Sequence, residues 1–104
     1  MNTDTKEKYV IKEYFAINLK WYRFNKNYTQ EHLAELCDLS SKYISDLERG
    51  KFSPSFTKME KIARALNIEP YMLIKPDHIN DIDSLPDKID KKIGRNRNKK
   101  YKVE

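Results

Sequence analysis

Very little in these 104 residues can bend freely or cross-link. Glycine occurs twice, proline four times and cysteine once. A single Cys37 rules out an intramolecular disulfide, so the fold has to be held by packing, and a reducing cytoplasmic setting is expected. No run approaches the ~20 apolar residues of a membrane span, and the opening MNTDTKEKYV has no apolar signal-peptide core. Glycine-rich phosphate loops are missing, as are Ser-His-Asp, Cys-His and paired-carboxylate constellations, so an enzyme is not expected. His32 has no second ligand at metal spacing and His78 stands beside Asp77 as a surface residue, so neither a metal nor another cofactor is expected. The chain is long enough for one modest core and too short for a deep substrate cleft. What it has in quantity is charge: 21 Lys and Arg against 16 Asp and Glu, a net of +5. That bias suits an anionic partner without establishing one. Lysine predominates over arginine, and Asn, Ile and Tyr are common, as in proteins from AT-rich bacterial or phage genomes.

Apolar periodicity predicts an all-α chain. A first helix is expected from near Thr5, after an Asp4/Glu7 capping box, to about Lys26, with Asn27 at its left-handed end. It carries two stripes. Ile11, Phe15, Leu19 and Tyr22 form the first; Val10, Tyr14, Ile17 and Trp21 form a second, about 130° away at 100° per residue. One small domain seldom buries that much of a helix. The second stripe is therefore expected to pack under the fifth helix, the 79–93 segment or a second subunit.

Residues 30–50, QEHLAELCDLSSKYISDLERG, contain two short helical patterns at the spacing of a helix-turn-helix. Gln30, Leu33, Ala34, Cys37, Leu39, Ile44 and Leu47 supply the inward face, with Leu36 and Ser40 placed at the end of the first stripe. Thr29 and Ser40 are N-caps of helices 30–37 and 41–48, Asp38 makes the turn and Gly50 ends the second helix. Cys37 reads as a small core hydrophobe in preference to a redox switch. A fourth helix is expected with Ser53 as N-cap and Pro54 at its first position, burying Phe56, Met59, Ile62, Ala63 and Leu66 and stopping at Asn67. Glu69-Pro70 opens a short fifth helix whose Tyr71, Leu73 and Ile74 close the core.

Domain 1–76 thus gives way to a charged tail, 77–104. Segment 77–93 has a net charge of −2, with a candidate short helix over 85–93, and segment 94–104 has a net of +4. The tail can be solvated, add contacts to a DNA backbone or bind a protein partner.

Taken together, TQEHLAELCDLSSKYISDLERGKFSP and the five-helix order resemble the phage repressor/Cro family, also called xenobiotic-response-element-type regulators, over about residues 9–75. The family's pattern of an opening Gln, L-A three and four residues on, a turn, and I-S-x-L/I-E-x-G-K falls on Gln30, Leu33-Ala34, Asp38 and Ile44 through Lys51. Asn27, Asp38 and Asn67 stand where glycines are usual, and all three tolerate left-handed φ at about 1 kcal/mol relative to Gly. His32 replaces the Glu that would complete a capping box with Thr29.

The resemblance implies a sequence-specific transcriptional regulator of double-stranded DNA, with helix 41–48 in the major groove. Ser41, Lys42, Tyr43, Ser45 and Asp46 become candidate base contacts, Asp46 having an i, i+4 pair with Lys42 as its alternative. Lys20, Gln30, Ser40, Lys51, Ser53 and Thr57 become candidate phosphate contacts, and Arg23 and Glu48 an orienting ion pair. A homodimer on a palindromic operator is expected, because one helix reads few base pairs. The competing reading is an antitoxin or anti-regulator that keeps the motif as a scaffold and wraps a partner with its tail.

Overall fold

The computed structural model describes residues 10–86, and they contain four α-helices and no strand: α1 (Val10–Asn25), α2 (Gln30–Cys37), α3 (Ser41–Glu48) and α4 (Phe56–Leu66). The expected fifth helix is instead a four-residue 3₁₀ turn, Pro70–Leu73, and a second 3₁₀ turn follows at Ile82–Ser84. Pro76 and the short apolar run leave no room to propagate an α-helix there, and a helix that short has little stability of its own. The expected start of α1 near Thr5 lies outside the described residues. So does most of the candidate 85–93 helix, of which Leu85 and Pro86 are not helical.

All four helices stop in the same way. Asn27, Asp38, Gly50 and Asn67 take φ of 58°, 60°, 71° and 60°. In each case the next residue's N–H turns back to a carbonyl five positions earlier: Tyr28 to Arg23, Leu39 to Ala34, Lys51 to Asp46 and Ile68 to Ala63, at 2.9–3.1 Å. The closure satisfies carbonyls the helix end would otherwise orphan. Only one of the four corners uses glycine. At the other ends, Thr29 Oγ1 accepts from His32 N at 3.0 Å and Ser40 Oγ from Tyr43 N at 3.0 Å.

The start of α4 differs from the sequence expectation. Ser55, two residues beyond Ser53, is the cap and accepts from Lys58 N at 3.1 Å, so Phe56 is the first helical residue and Pro54 remains in the loop. Serines flank Pro54 on both sides, and the later one leaves more chain to pass from Gly50 to α4. Phe56 is consequently 82% exposed at the helix tip and does not join the buried face.

The core is one cluster: Phe15 and Leu19 from α1, Leu33, Ala34 and Cys37 from α2, Ile44 and Leu47 from α3, Ile62, Ala63 and Leu66 from α4, and Leu73. Each fully buried aliphatic side chain here contributes roughly 1.5–3 kcal/mol before the entropy of ordering it. Ile11 and Leu36 are exposed, at 59% and 49%, because each lies past the edge of the face its helix turns to this cluster. Tyr71 also points outward, with Lys75 Nζ 5.7 Å from its ring centroid.

Asn18 is the polar residue sequence reasoning passed over. It is fully buried, and its Nδ2 donates to the carbonyls of Leu73 at 2.9 Å and Lys75 at 2.6 Å, tying the chain after α4 to α1. Its position was a signal, since Phe15, Asn18, Leu19 and Tyr22 share one face. A polar side chain inside an apolar arc requires a buried partner.

His78 is likewise not a free surface residue. Its ring stacks on Trp21 at 4.5 Å, its Nε2 lies 3.2 Å from the Tyr22 hydroxyl, and its Nδ1 lies 3.4 Å from Asp81. The chain beyond residue 76 therefore stays on α1 through Ile82–Ser84. Of the second stripe, Tyr14, Ile17 and Trp21 are each half-buried.

Candidate nucleic-acid interface

α3 is held at its C-terminal end by one buried polar node. Arg23 of α1 and Glu48 of α3 have side chains only 3% and 5% exposed. The guanidinium grips the carboxylate with two nitrogens, Nε to Oε2 and Nη2 to Oε1 at 2.9 Å, while Nη1 donates to the Tyr28 carbonyl at 2.8 Å. Gln30 Nε2 adds a bond to Glu48 Oε1 at 3.1 Å. α1, the first residues of α2 and α3 thereby meet at one carboxylate. A planar fork suits this junction because it fixes direction as well as distance.

Away from the node, α3 presents Ser40, Ser41 and Lys42 to solvent, with Ser45 half-buried beside them. Tyr43 is half-buried, its ring 5.2 Å from Phe52 and 4.8 Å from Lys58 Nζ. Burial pushes its hydroxyl pKa up. This stack pins the loop that follows Gly50 against α3. Lys51, Ser53 and Thr57 are exposed along that loop and the first turn of α4, and Lys20 is half-buried with Nζ 5.8 Å from the Phe24 ring centroid. The Ser55 cap takes the Lys58 N–H, and the N–H groups of Phe56 and Thr57 before it are those that a helix start leaves without an intrahelical partner. They lie two residues later than the placement after Ser53 had predicted.

Asp46 departs from its expected outward position. It is 7% exposed and covered by cations: Lys42 Nζ at 3.2 Å, Arg49 Nη2 at 2.7 Å and Lys51 Nζ at 3.7 Å. Burial raises the carboxyl pKa, but the Lys42, Lys51 and Arg49 contacts together outweigh it and hold the group below the ordinary carboxylate range. Both oxygens are occupied, so the geometry favours the intrahelical pair over a base contact. Arg49 and Lys58 belong to this surface and were not singled out in the sequence; their spacing, i+3 from Asp46 and in the first turn of α4, was the available signal.

Cys37 lies in the core, and burial lifts its thiol pKa to about 11 against a weak lowering by Lys61. A protonated thiol there is inert. Among the described residues no group of three or more His, Cys, Asp or Glu is disposed to hold a metal ion, and no helix is long and apolar enough to cross a membrane.

Two short helices locked at a sharp left-handed turn, the second with its outer face open to solvent, define a helix-turn-helix. The family described as helix-turn-helix matches residues 19–73, and the chain belongs to it, within the phage repressor/Cro type of DNA-binding transcriptional regulators. The chain is similar to a hypothetical transcription factor of Neisseria meningitidis, with 35% identity over 66 residues. That match covers 64% of this chain and 62% of the relative, so the chain spans less than two thirds of that protein. Control protein C.BamHI of Bacillus amyloliquefaciens is 42% identical over 65 residues, covering 62% of this chain and 80% of its own. The crystal structure of the restriction-modification controller protein C.AhdI from Aeromonas hydrophila superimposes with a TM-score of 0.59 at 37% identity, covering 62% of this chain and 94% of that one.

Proposed function

We propose that the chain is a sequence-specific transcriptional regulator that places α3 in the major groove and binds a palindromic operator as a homodimer. The open outer face of α3, with Ser41 and Lys42 exposed on a helix whose far end is anchored by the Arg23–Glu48 node, carries this reading. Lys42 reaches guanine O6 and N7, Ser41 pairs with either donor or acceptor edges, and Ser45 lies beside them. Tyr43 contributes an apolar ring edge for a thymine methyl. Lys20, Gln30, Ser40, Lys51, Ser53 and Thr57, with the N–H groups at the start of α4, supply the phosphate contacts that set register. Two copies are required because one α3 discriminates over too few base pairs, and their half-sites would lie about 34 Å apart.

Selection of bound sequences from random duplexes tests the proposal directly. Two inverted half-sites and a steep salt dependence are the expected result. Absence of binding at low salt would overturn it and favour the protein-interaction reading.

A further inference from the structure

The surface offered to a polyanion contains a carboxylate at its centre, which calls for a reason. Asp46 subtracts from the attraction of Lys42, Arg49 and Lys51, leaving the cluster with a net of two positive charges. It is not kept there by the helix. A cation four residues N-terminal to an anion is the less favourable order against the helix dipole, and Lys42 is 77% exposed at its side chain, so the pair adds little stability. Nor does the carboxylate have a lone oxygen to spare for a base, since Oδ2 accepts from Lys42 and Oδ1 from Arg49. What it can supply is direction. Lys42 rises from α3 at i−4, Arg49 from its C-cap at i+3 and Lys51 from the loop past Gly50, so one anion sets the angle of three flexible side chains.

We infer that Asp46 is a positioning residue for operator recognition, holding Lys42 and Arg49 at fixed angles to the groove so that general attraction is exchanged for discrimination between sequences. The inference rests on the proposed DNA-reading role of α3. A lysine whose ammonium is already tethered loses less freedom on meeting a base and is steered away from the phosphates it would otherwise reach.

The test compares full-length wild type, Asp46→Asn and Asp46→Glu on two duplexes, one carrying the sequence wild type selects and one scrambled, across a salt series. For Asp46→Asn the expected result is equal or tighter binding to the scrambled duplex, weaker binding to the selected one, and a preference reduced about tenfold or more. The salt slope should steepen by up to about one unit, as a charge is uncovered. Asp46→Glu, which keeps the anion, should recover part of the preference. Equal tightening on both duplexes would overturn the inference, leaving Asp46 as a plain electrostatic brake. Equal weakening with a lowered Tm would also overturn it, showing a structural role alone. A preference changed at one base pair alone, read on singly substituted copies of the selected duplex, would overturn it in favour of direct contact. If wild type itself shows no preference, the proposed function falls and this inference with it, which distinguishes the two failures.

Discussion

Replacing Arg23 with Met isolates the node that holds α3. The variant removes three donated bonds at once: two to Glu48 and one to the Tyr28 carbonyl. Glu48 is then left 5% exposed at its side chain with only the Gln30 amide for a partner, and the Tyr28 carbonyl loses its guanidinium donor. Removing one member of a buried pair costs about 3–5 kcal/mol, because the surviving charge is neither solvated nor matched. A domain of this size is stable by only about 5–15 kcal/mol in total, so the loss removes a large fraction of its stability. Urea titration followed by far-UV circular dichroism measures the loss as a lower midpoint at unchanged slope. The double variant Arg23→Met/Glu48→Leu removes the stranded charge and should recover most of the loss, and with Glu48→Leu alone it completes a double-mutant cycle. If the pair orients α3, the double variant will regain stability while binding the selected operator more weakly than wild type. A single variant costing less than about 1 kcal/mol, or a stable double variant with full operator affinity, would refute the reasoning.

Other outcomes follow from the same geometry. Lys42→Ala should relax discrimination at one position per half-site at a cost of about 1–3 kcal/mol, whereas Lys51→Ala should weaken all duplexes alike, as fluorescence anisotropy on selected and scrambled DNA would show. His78→Ala should move Trp21 emission to the red by removing the ring stacked on it; an unchanged spectrum would count against the stack. Acid should distinguish wild type from Asp46→Asn. The folded Asp46 carboxyl holds its proton less tightly than the unfolded one. Its contribution is therefore present above the unfolded pKa and is lost as pH falls through the folded value. Any Tm advantage of wild type over Asp46→Asn at pH 6 should shrink toward pH 2. Finally, Cys37 should resist iodoacetamide at pH 8 until the chain opens, because its buried thiol titrates near 11.

The helices were legible in the sequence wherever an apolar period and a cap agreed. Thr29, Ser40, Asp38, Asn67 and the pattern from Leu33 to Leu47 specify α2, α3 and their corners by local chemistry alone. Placement failed where two local solutions were nearly equal in energy, as with Ser53 and Ser55 on either side of Pro54, a choice made by the span the loop must cross. It failed again where a short apolar run could not show its length preference, which is why Pro70–Leu73 forms a 3₁₀ turn and not a fifth α-helix. In the interface, exposed residues on α3 could be read from helical periodicity. The pairing of Asp46 with Lys42 was legible as an i, i+4 alternative and Arg49 stood at i+3, whereas the approach of Lys51 from the loop past Gly50 was not, because that path is tertiary. Asn18 and His78 share that limitation: each is defined by a partner more than fifty positions away in the chain.

The corner at Asp38 determines which molecule yields on contact. Between Cys37 and Ser41 only three residues intervene, the first at φ 60° and the last already committed to capping α3. A hinge needs slack, and this joint has none: Leu33, Ala34 and Cys37 on one arm are packed into the same cluster as Ile44 and Leu47 on the other. In the proposed complex a reading head so stiff would adapt poorly to a groove of the wrong width, and the duplex would do the bending. Base steps that twist or kink cheaply would then be favoured even at positions no side chain reaches.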